Sequence, residues 1–213
     1  MKLYTYFRSS AAYRVRIALN LKGVACDFVP VHLTRDGGGQ RTDAYRALNP
    51  NALVPALADG DALLSQSLAI IEYLEETCPQ VPLLPATATD RAHVRAIALT
   101  IACDIHPLQN LRVLQYLVKE LGLTEEQKNT WFRHWCYNGL LAVERLVLQG
   151  SPGQFCHGDT PGLADICLVP QLMNARRVDT DLSGMPNLLR IESNCLALPA
   201  FAQAAPAVQP DAE

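Results

Sequence analysis

The sequence predicts an α/β domain followed by an all-α domain. Short apolar strands alternate with helical patterns over the first 80 residues, whereas residues from about 90 onwards show only helical spacing of apolar positions. Between them, residues 78–89 contain three prolines and no hydrophobic period, as is typical of a linker. We therefore predict domains at 1–80 and 90–213, joined by a linker at 81–89.

The first strand and helix meet at two adjacent serines. Residues 2–6 alternate apolar and polar side chains, and after Ser10 the apolar positions recur at helical spacing, so Ser9 or Ser10 is the predicted N-cap. The unpaired N–H groups and the dipole of a helix start favour an anion, to which a hydroxyl can donate a hydrogen bond. On these residues alone, an anion site and a plain cap remain equally open.

The other elements of the first domain follow in the order strand, glycine-rich mobile loop, short helix, two strands and helix. They are predicted at residues 27–33, 35–40, 45–48, 54–58, 62–65 and 67–76. The turn between the last two strands is Asp59-Gly60-Asp61, a hairpin pattern. This order of elements is typical of a thioredoxin-like domain.

Residues 91–119 predict one long helix in the second domain, with Pro107 inside it. A proline has no N–H and clashes with the carbonyl four residues before it, here that of Cys103. The helix is therefore predicted to bend between Asp104 and Pro107, and such a bend can open a groove.

Three further helices complete the second domain, at residues 125–149, 162–175 and 186–196. Gly150 closes the first of them. Gly162 is the predicted N-cap of the second, and because glycine has no side chain, only the Asp165 carboxylate can reach back to the backbone there. Beyond Ala207 the chain is predicted to fray.

Composition excludes several classes of function. The net charge is −3 with both signs interspersed, so neither nucleic acid nor a membrane is a predicted partner. The longest uncharged run, residues 193–210, is alanine-rich and interrupted by prolines, which makes it a poor membrane span. Seven scattered cysteines without a Cys-x-x-Cys pair indicate reduced thiols in a cytoplasmic protein. No metal site is predicted, since the cysteines and five histidines lack metal-ligand spacing.

Several motifs, spread over nearly the whole chain, occur in the order of a known family. They are residues 7–10 with 13–19, 36–38, 48–50, 54–55, 66–76, 107–111 and 164–171. Together they resemble zeta-class glutathione transferases, the family of maleylacetoacetate and maleylpyruvate isomerases. Two positions depart from the family pattern: Ala11 stands where a cysteine is common, and His106 where a glutamine is common. The resemblance implies the glutathione transferase fold, glutathione as cofactor and a homodimer.

The resemblance also implies where the two ends of the cofactor site lie on the first domain. The glutathione thiol would lie over Ser9 and Ser10, next to Ala11. Helix N–H groups and a donated hydroxyl hydrogen bond would lower its pKa from the ordinary value of about 8.5. Gln66 and Ser67, where a strand meets a helix, would hold the γ-glutamyl carboxylate, with a plain helix cap as the alternative on the residues alone.

Further cofactor contacts are expected from the resemblance alone. Val54-Pro55 resembles the family's cis-proline turn, in which the residue before proline pairs its backbone with the cysteinyl part of glutathione. Gln40 would contact the glycyl end. The second domain is expected to contribute Asp104, His106, Asn110 and Arg112. For His106 a place in the core is an equally open alternative.

Arginines are the predicted substrate ligands, because a guanidinium binds a carboxylate through two hydrogen bonds. Arg8 directly precedes the thiolate site, and Arg176 ends the helix at 162–175, so these two are expected to hold the carboxylates of a dicarboxylate substrate. Arg177 is an alternative to Arg176. Arg14 and Arg16 are expected to make structural contacts.

The predicted function is that of a glutathione-dependent cis–trans isomerase that converts maleylpyruvate to fumarylpyruvate. Ser9, Ser10, Arg8 and Arg176 are the predicted catalytic residues, and reversible addition of the thiolate to the double bond is the implied chemistry. Maleylpyruvate is preferred because its carboxylates lie closer together, which suits a pocket rich in cations. The alternatives are a maleylacetoacetate isomerase, a general detoxifying transferase and a non-catalytic module.

Overall fold

A four-stranded sheet underlies the first part of the computed structural model, which describes residues 1–213. Its strands are β1 (Lys2–Thr5), β2 (Asp27–Pro30), β3 (Ala56–Asp59) and β4 (Ala62–Ser65), and they lie in the order β2-β1-β3-β4. β1 pairs parallel with β2 and antiparallel with β3, which pairs antiparallel with β4. The predicted hairpin at Asp59-Gly60-Asp61 is confirmed, while β1, β2 and β3 are shorter than predicted.

Three helices accompany this sheet: α1 (Ser10–Lys22), α2 (Asp43–Leu48) and α3 (Ser67–Thr77). The order of elements confirms the thioredoxin-like prediction. α1 packs against α3, and fully buried apolar side chains such as Leu3, Ile17, Leu57, Ile70 and Leu74 form the core. The predicted glycine-rich loop contains two short 3₁₀ turns, at Arg35–Gly37 and Gly39–Arg41. Both α1 and α3 begin just after a strand, which places their N-termini at strand ends.

The second part of the structure is all-helical. Its helices are α4 (Ala88–Leu99), α5 (Leu111–Lys119), α6 (Glu125–Gln149), α7 (Leu163–Arg176) and α8 (Pro186–Leu196). The predicted limits of α6 and α8 are confirmed, and α7 differs by one residue at each end. None of the helices is both long and apolar enough to span a bilayer.

The prediction of one helix over residues 91–119 is wrong, because the chain changes its winding around Pro107. α4 is followed by a π-helical turn at Thr100–Ile105 and a 3₁₀ turn at His106–Gln109. Asn110 then caps α5 through its side chain, with Oδ1 accepting from the amide of Arg112 at 3.1 Å. The missing N–H of Pro107 explains why regular winding fails here, at the predicted place but more completely than a bend.

The C-terminal segment belongs with the first part of the structure. The compact units are residues 1–83 with 197–213, and residues 84–196. The segment forms α9 (Pro199–Ala202) and a 3₁₀ turn at Pro206–Val208. Its carbonyls accept hydrogen bonds from α1, including Asn20 Nδ2 to Ala200 at 2.9 Å. The predicted domain limits 1–80, 81–89 and 90–213 therefore need correction at their C-terminal end, and the predicted fraying beyond Ala207 is wrong.

Candidate active site

Ser9 is the N-cap of α1, one of the two alternatives that the sequence left open. Its backbone is extended (φ −71°, ψ 115°), and its Oγ accepts a hydrogen bond from the amide of Ala12 at 3.2 Å. Because Oγ accepts this bond, the Ser9 O–H remains a donor. The amide of Ala11 lies in the first turn, where no helical carbonyl reaches it. Ser10 is the first residue of the helix and is 3% exposed.

The turn that leads into Ser9 is held by a buried arginine. Arg16 is 0% exposed and donates to the carbonyls of Tyr6 and Phe7, at 3.4 and 3.0 Å. Its other bonds, to Thr5 Oγ1 and the Ala204 carbonyl at 3.0 Å each, confirm the predicted structural role. Arg8, in contrast, is exposed, with its guanidinium 5.7 Å from the centre of the Phe7 ring. An exposed cation therefore directly precedes the capped helix start.

A second helix start lies at Gln66 and Ser67. Gln66 has a left-handed backbone (φ 71°, ψ 119°), which is strained for a residue other than glycine, and it provides no side-chain cap for α3. The first amides of α3 thus lack a side-chain acceptor. Ser67 is 6% exposed, and its Oγ accepts from Nη1 of the buried Arg14 at 3.3 Å. The free amides of the uncapped helix start and the positive charge of the buried Arg14 favour a carboxylate at this place, beside the strained Gln66.

The Val54-Pro55 peptide is cis, as the family resemblance implied. Val54 is 8% exposed, and neither its N–H nor its C=O bonds to the backbone of this chain. The turn before it is fixed at the Leu53 carbonyl, which accepts from the Tyr45 hydroxyl at 2.8 Å and from Asn49 Nδ2 at 2.7 Å. The backbone of Val54 can therefore pair with an extended peptide.

Gln40 supports its own loop. It is 6% exposed, and its Nε2 donates to the Leu33 carbonyl at 3.1 Å, while its buried Oε1 has no partner. A side chain at Gly38 would clash with the Gln40 amide, so this glycine leaves the space that Gln40 fills. The Gln40 donor therefore bonds to the chain itself, and a contact with the glycyl end of glutathione stays a prediction.

Of the predicted cofactor ligands in residues 84–196, Asp104, His106 and Asn110 lie between α4 and α5, and Arg112 lies in the first turn of α5. Asp104 and Arg112 are exposed, while His106 and Asn110 are half-buried, so His106 lies outside the core. Gln109 is buried in the same segment, and its Oε1 accepts from Gln171 Nε2 of α7 at 2.7 Å. This hydrogen bond between two buried amides fixes the segment to α7.

Arg176 forms an ion pair that the sequence did not reveal. Both of its Nη groups donate to the carboxylate of Glu192 on α8, which is 5% exposed. The neighbouring Arg177 is exposed, and its Nη1 donates to Asn174 Oδ1 at 3.5 Å. The sequence predicts that Arg176 holds a substrate carboxylate, and in the structure its guanidinium already pairs with the carboxylate of Glu192. The two residues are 16 positions apart on different helices, so no sequence pattern links them.

Asp165 caps the start of α7 with its side chain, as predicted. Its Oδ2 accepts from the Gly162 amide and its Oδ1 from the Cys156 amide, both at 2.9 Å. Burial raises the pKa of the Asp165 carboxyl, against the lowering effect of these two hydrogen bonds. This carboxylate therefore has a structural role within the helical unit.

The protein's own buried cysteines are poor nucleophiles. All seven cysteines are free, and burial raises the thiol pKa of Cys136, Cys156 and Cys195 above the ordinary value. The nearby Asp165 carboxylate raises the pKa further for Cys156 and Cys195. A raised pKa leaves little thiolate at neutral pH. These three buried thiols are therefore unsuited to thiolate chemistry.

Comparison with known proteins extends over the whole chain. Residues 3–82 match the family model of the glutathione S-transferase N-terminal domain. The maleylacetoacetate isomerase of Pseudomonas aeruginosa is 52% identical over 212 residues, which cover 99% of this chain and 98% of that protein.

Two solved structures agree with this similarity. One is the holo structure of a maleylpyruvate isomerase, a bacterial zeta-class glutathione S-transferase. It is 47% identical, with a TM-score of 0.97 and full coverage of both chains. The other is a maleylacetoacetate isomerase of Methylobacterium extorquens with bound malonate and glutathione. It is 42% identical, with a TM-score of 0.95 and full coverage of both chains.

Proposed function

The chain belongs to the zeta class of glutathione transferases, and from this membership we propose that it isomerises maleylpyruvate to fumarylpyruvate. As a member of the maleylpyruvate and maleylacetoacetate isomerase family, it is a glutathione-dependent cis–trans isomerase. Relatives of both names match it over full length, so the choice of substrate depends on the charges of the site. The observation that carries the proposal is the exposed Arg8 immediately before the Ser9 cap of α1.

The residues of the first unit fit glutathione. Val54 has an unpaired backbone for the cysteinyl part, and the uncapped start of α3 at Gln66 and Ser67 suits the γ-glutamyl carboxylate. The Ser9 hydroxyl and the first amides of α1 would stabilise a thiolate. Bound glutathione supplies a thiolate that adds reversibly to the substrate's double bond, which allows rotation about it. The chain's own contribution is to keep the thiol ionised and to hold the substrate.

The substrate's carboxylates are assigned to arginines. Arg8 is exposed, with its guanidinium 5.7 Å from the centre of the Phe7 ring, so it can bind one carboxylate through two hydrogen bonds. Arg112 is likewise exposed, whereas Arg176 already pairs with Glu192. The guanidinium of Arg176 has donors left besides those on Glu192, so it can share a second carboxylate. The relative crystallised with malonate and glutathione supports a small dicarboxylate as the substrate class.

A side-by-side assay of maleylpyruvate and maleylacetoacetate, each with and without glutathione, tests the proposal. We expect glutathione-dependent isomerisation of both, followed by absorbance, with the higher kcat/KM for maleylpyruvate. A higher kcat/KM for maleylacetoacetate would reverse the substrate choice. Stable conjugates with an aromatic halide, formed faster than either isomerisation, would favour the general detoxifying transferase instead.

Assembly and location complete the proposal. We expect a homodimer, because the zeta-class family to which the chain belongs forms dimers. Light scattering on the purified protein checks this, and a mass of one chain would contradict it.

A cytoplasmic location is supported by the seven cysteines, none of which forms a disulfide.

A further inference from the structure

The last residues of the chain are held by side-chain hydrogen bonds to other residues of the first unit. Gln209 is 7% exposed, and its side-chain amide donates to two nearby main-chain carbonyls, each at 2.9 Å. Farther along, the Glu213 carboxylate pairs with His32 Nε2 and Arg35 Nη2, each at 2.8 Å. Asp211 lies between these two anchor points. The segment is therefore held on both sides of Asp211.

Asp211 reaches the turn that leads into the thiolate site. Its Oδ2 accepts a hydrogen bond from the amide of Phe7 at 3.0 Å, across 204 positions of sequence. The carbonyl of Phe7 accepts from Arg16 Nη2, also at 3.0 Å. A carboxylate and a guanidinium thus hold the two polar groups of one residue, which lies two positions before Ser9.

The same carboxylate supports the charge of Arg16. Arg16 is 0% exposed, and burial lowers the pKa of its guanidinium to about 10, while the nearby negative charge of Asp211 acts in the opposite direction. The Tyr6 carbonyl accepts both from Arg16 Nη1 at 3.4 Å and from the Ser9 amide at 3.0 Å. The buried cation, the turn and the helix cap form one connected hydrogen-bond network.

We propose that Asp211 is a positioning residue of the thiolate site, which acts by fixing the Phe7 peptide and so the direction of the Ser9 hydroxyl. The amide that Asp211 binds is separated from the Ser9 hydroxyl only by the backbone angles of Phe7, Arg8 and Ser9 and by the Ser9 χ1 angle. Arg16 holds the Phe7 carbonyl within this stretch, and the Ser9 amide is itself held by the Tyr6 carbonyl. The inference rests on the proposed placement of the glutathione thiolate at Ser9. Asp211 itself has no assigned contact with glutathione or the substrate.

The test is the pKa of the bound thiol, measured from the ultraviolet absorbance of the thiolate against pH, together with kcat and KM. For Asp211→Ala we expect a raised thiol pKa and a loss of about tenfold in kcat at neutral pH, with KM for glutathione within about twofold. Asp211→Asn keeps an acceptor for the Phe7 amide and should recover part of the loss. Asp61→Ala, at an exposed acid of the hairpin turn, is the matched control and should change nothing.

Lower thermal stability of Asp211→Ala with an unchanged thiol pKa and kcat would overturn the proposal and leave Asp211 as a structural residue. If Asp211→Ala does not fold, Asp211→Asn decides by the same titration, and an unshifted thiol pKa overturns the proposal. The titration needs no substrate, so failure of the isomerase assignment would not affect it. A wild-type thiol pKa at its ordinary value would overturn the Ser9 placement and the inference together.

Discussion

Glu192 binds both Nη groups of Arg176 through its carboxylate, joining the C-terminal end of α7 to α8. Glu192 is almost buried, whereas the side chain of Arg176 is 49% exposed. A substrate carboxylate at Arg176 would therefore meet a guanidinium whose charge is already partly compensated. The ion pair therefore gives Arg176 an effect on stability that is separate from any contact with the substrate.

Replacement of Arg176 by methionine should affect both the free energy of unfolding and the isomerase activity. Its loss leaves the Glu192 carboxylate unpaired, and we expect the free energy of unfolding to fall by about 1–2 kcal/mol, less than for a fully buried pair because Arg176 is half-exposed. If Arg176 also holds the substrate, kcat/KM should fall at least about tenfold. Glu192→Gln, which frees the guanidinium, should retain or improve KM for the keto acid. Wild-type kcat/KM in Arg176→Met would restrict Arg176 to a structural role.

Ser9→Ala and Ser10→Ala should raise the pKa of the bound glutathione thiol and slow turnover, while glutathione affinity stays nearly unchanged. Ser9→Ala should have the larger effect, because Ser9 caps the helix and is the more exposed of the two serines. It should also lower the free energy of unfolding by about 1 kcal/mol through loss of the cap. Titration of thiolate absorbance and steady-state kinetics measure these effects, with the exposed Ser193→Ala as control. Full activity of the double variant at neutral pH would mean that backbone amides alone ionise the thiol.

Changes at Gln66 and Ser67 should weaken glutathione binding more than they lower kcat, because the γ-glutamyl group is remote from the reacting carbon. Ser67→Ala also removes the acceptor of the Arg14 hydrogen bond. Gln66→Gly removes the side chain and also relieves the backbone strain, since glycine adopts the left-handed conformation freely. Comparison with Gln66→Ala therefore separates the effect of the side chain from that of the backbone. Calorimetric titration with glutathione measures the affinity. Unchanged affinity in Ser67→Ala, Gln66→Ala and Gln66→Gly would remove this helix start from the cofactor site.

Arg8→Met should impair isomerisation far more than glutathione binding. Loss of a charged contact to a substrate carboxylate should lower kcat/KM at least about tenfold, equivalent to roughly 1.4 kcal/mol of transition-state binding. Arg46→Met is a suitable control, since Arg46 is an exposed arginine in the last turn of α2. Equal kcat/KM values for the two variants would exclude Arg8 as a substrate ligand.

Asp165→Ala should destabilise the helical unit without a direct effect on glutathione affinity. The change leaves the amides of Cys156 and Gly162 without their acceptor, one of them in the buried core, at an expected cost of about 2–3 kcal/mol. Thr124→Ala, at the exposed cap of α6, should cost about 1 kcal/mol by comparison. Chemical unfolding followed by circular dichroism gives both values. Equal losses would show that the buried bond to Cys156 adds nothing to an ordinary cap.

Local patterns determined much of what could be predicted. The C-terminal limit of α6 follows from Gly150, and the start of α1 follows from the change of period at Ser9 and Ser10. The sequence predicts the place where the helix becomes irregular around Pro107, but it predicts only a bend, whereas the α-helix is interrupted there. Apolar residues such as Ile101 and Ile105 continue a helical spacing through the π-helical turn, so the pattern hides the change.

Contacts between distant residues account for what the sequence did not predict. Glu192 has the appearance of an ordinary helix-surface acid, yet it is buried against Arg176. The proline-rich C-terminal segment suggests disorder by composition, whereas its order depends on partners in α1 and the Phe7 turn, 188 and 204 positions away. The expected contacts of Val54, Gln66 and Ser67 with glutathione rest on family resemblance, since hydrogen-bonding capacity alone does not identify a ligand.

The assignment of residues 197–213 to the first unit has a consequence for the order of folding during synthesis. Residues 84–196 leave the ribosome before the segment that completes the first unit, although most of that unit is translated first. Until then, buried Arg16 lacks the Ala204 carbonyl and the nearby charge of Asp211. The first unit therefore cannot complete the hydrogen bonds of Arg16 until the last residues of the chain have been synthesised, although most of this unit is translated first.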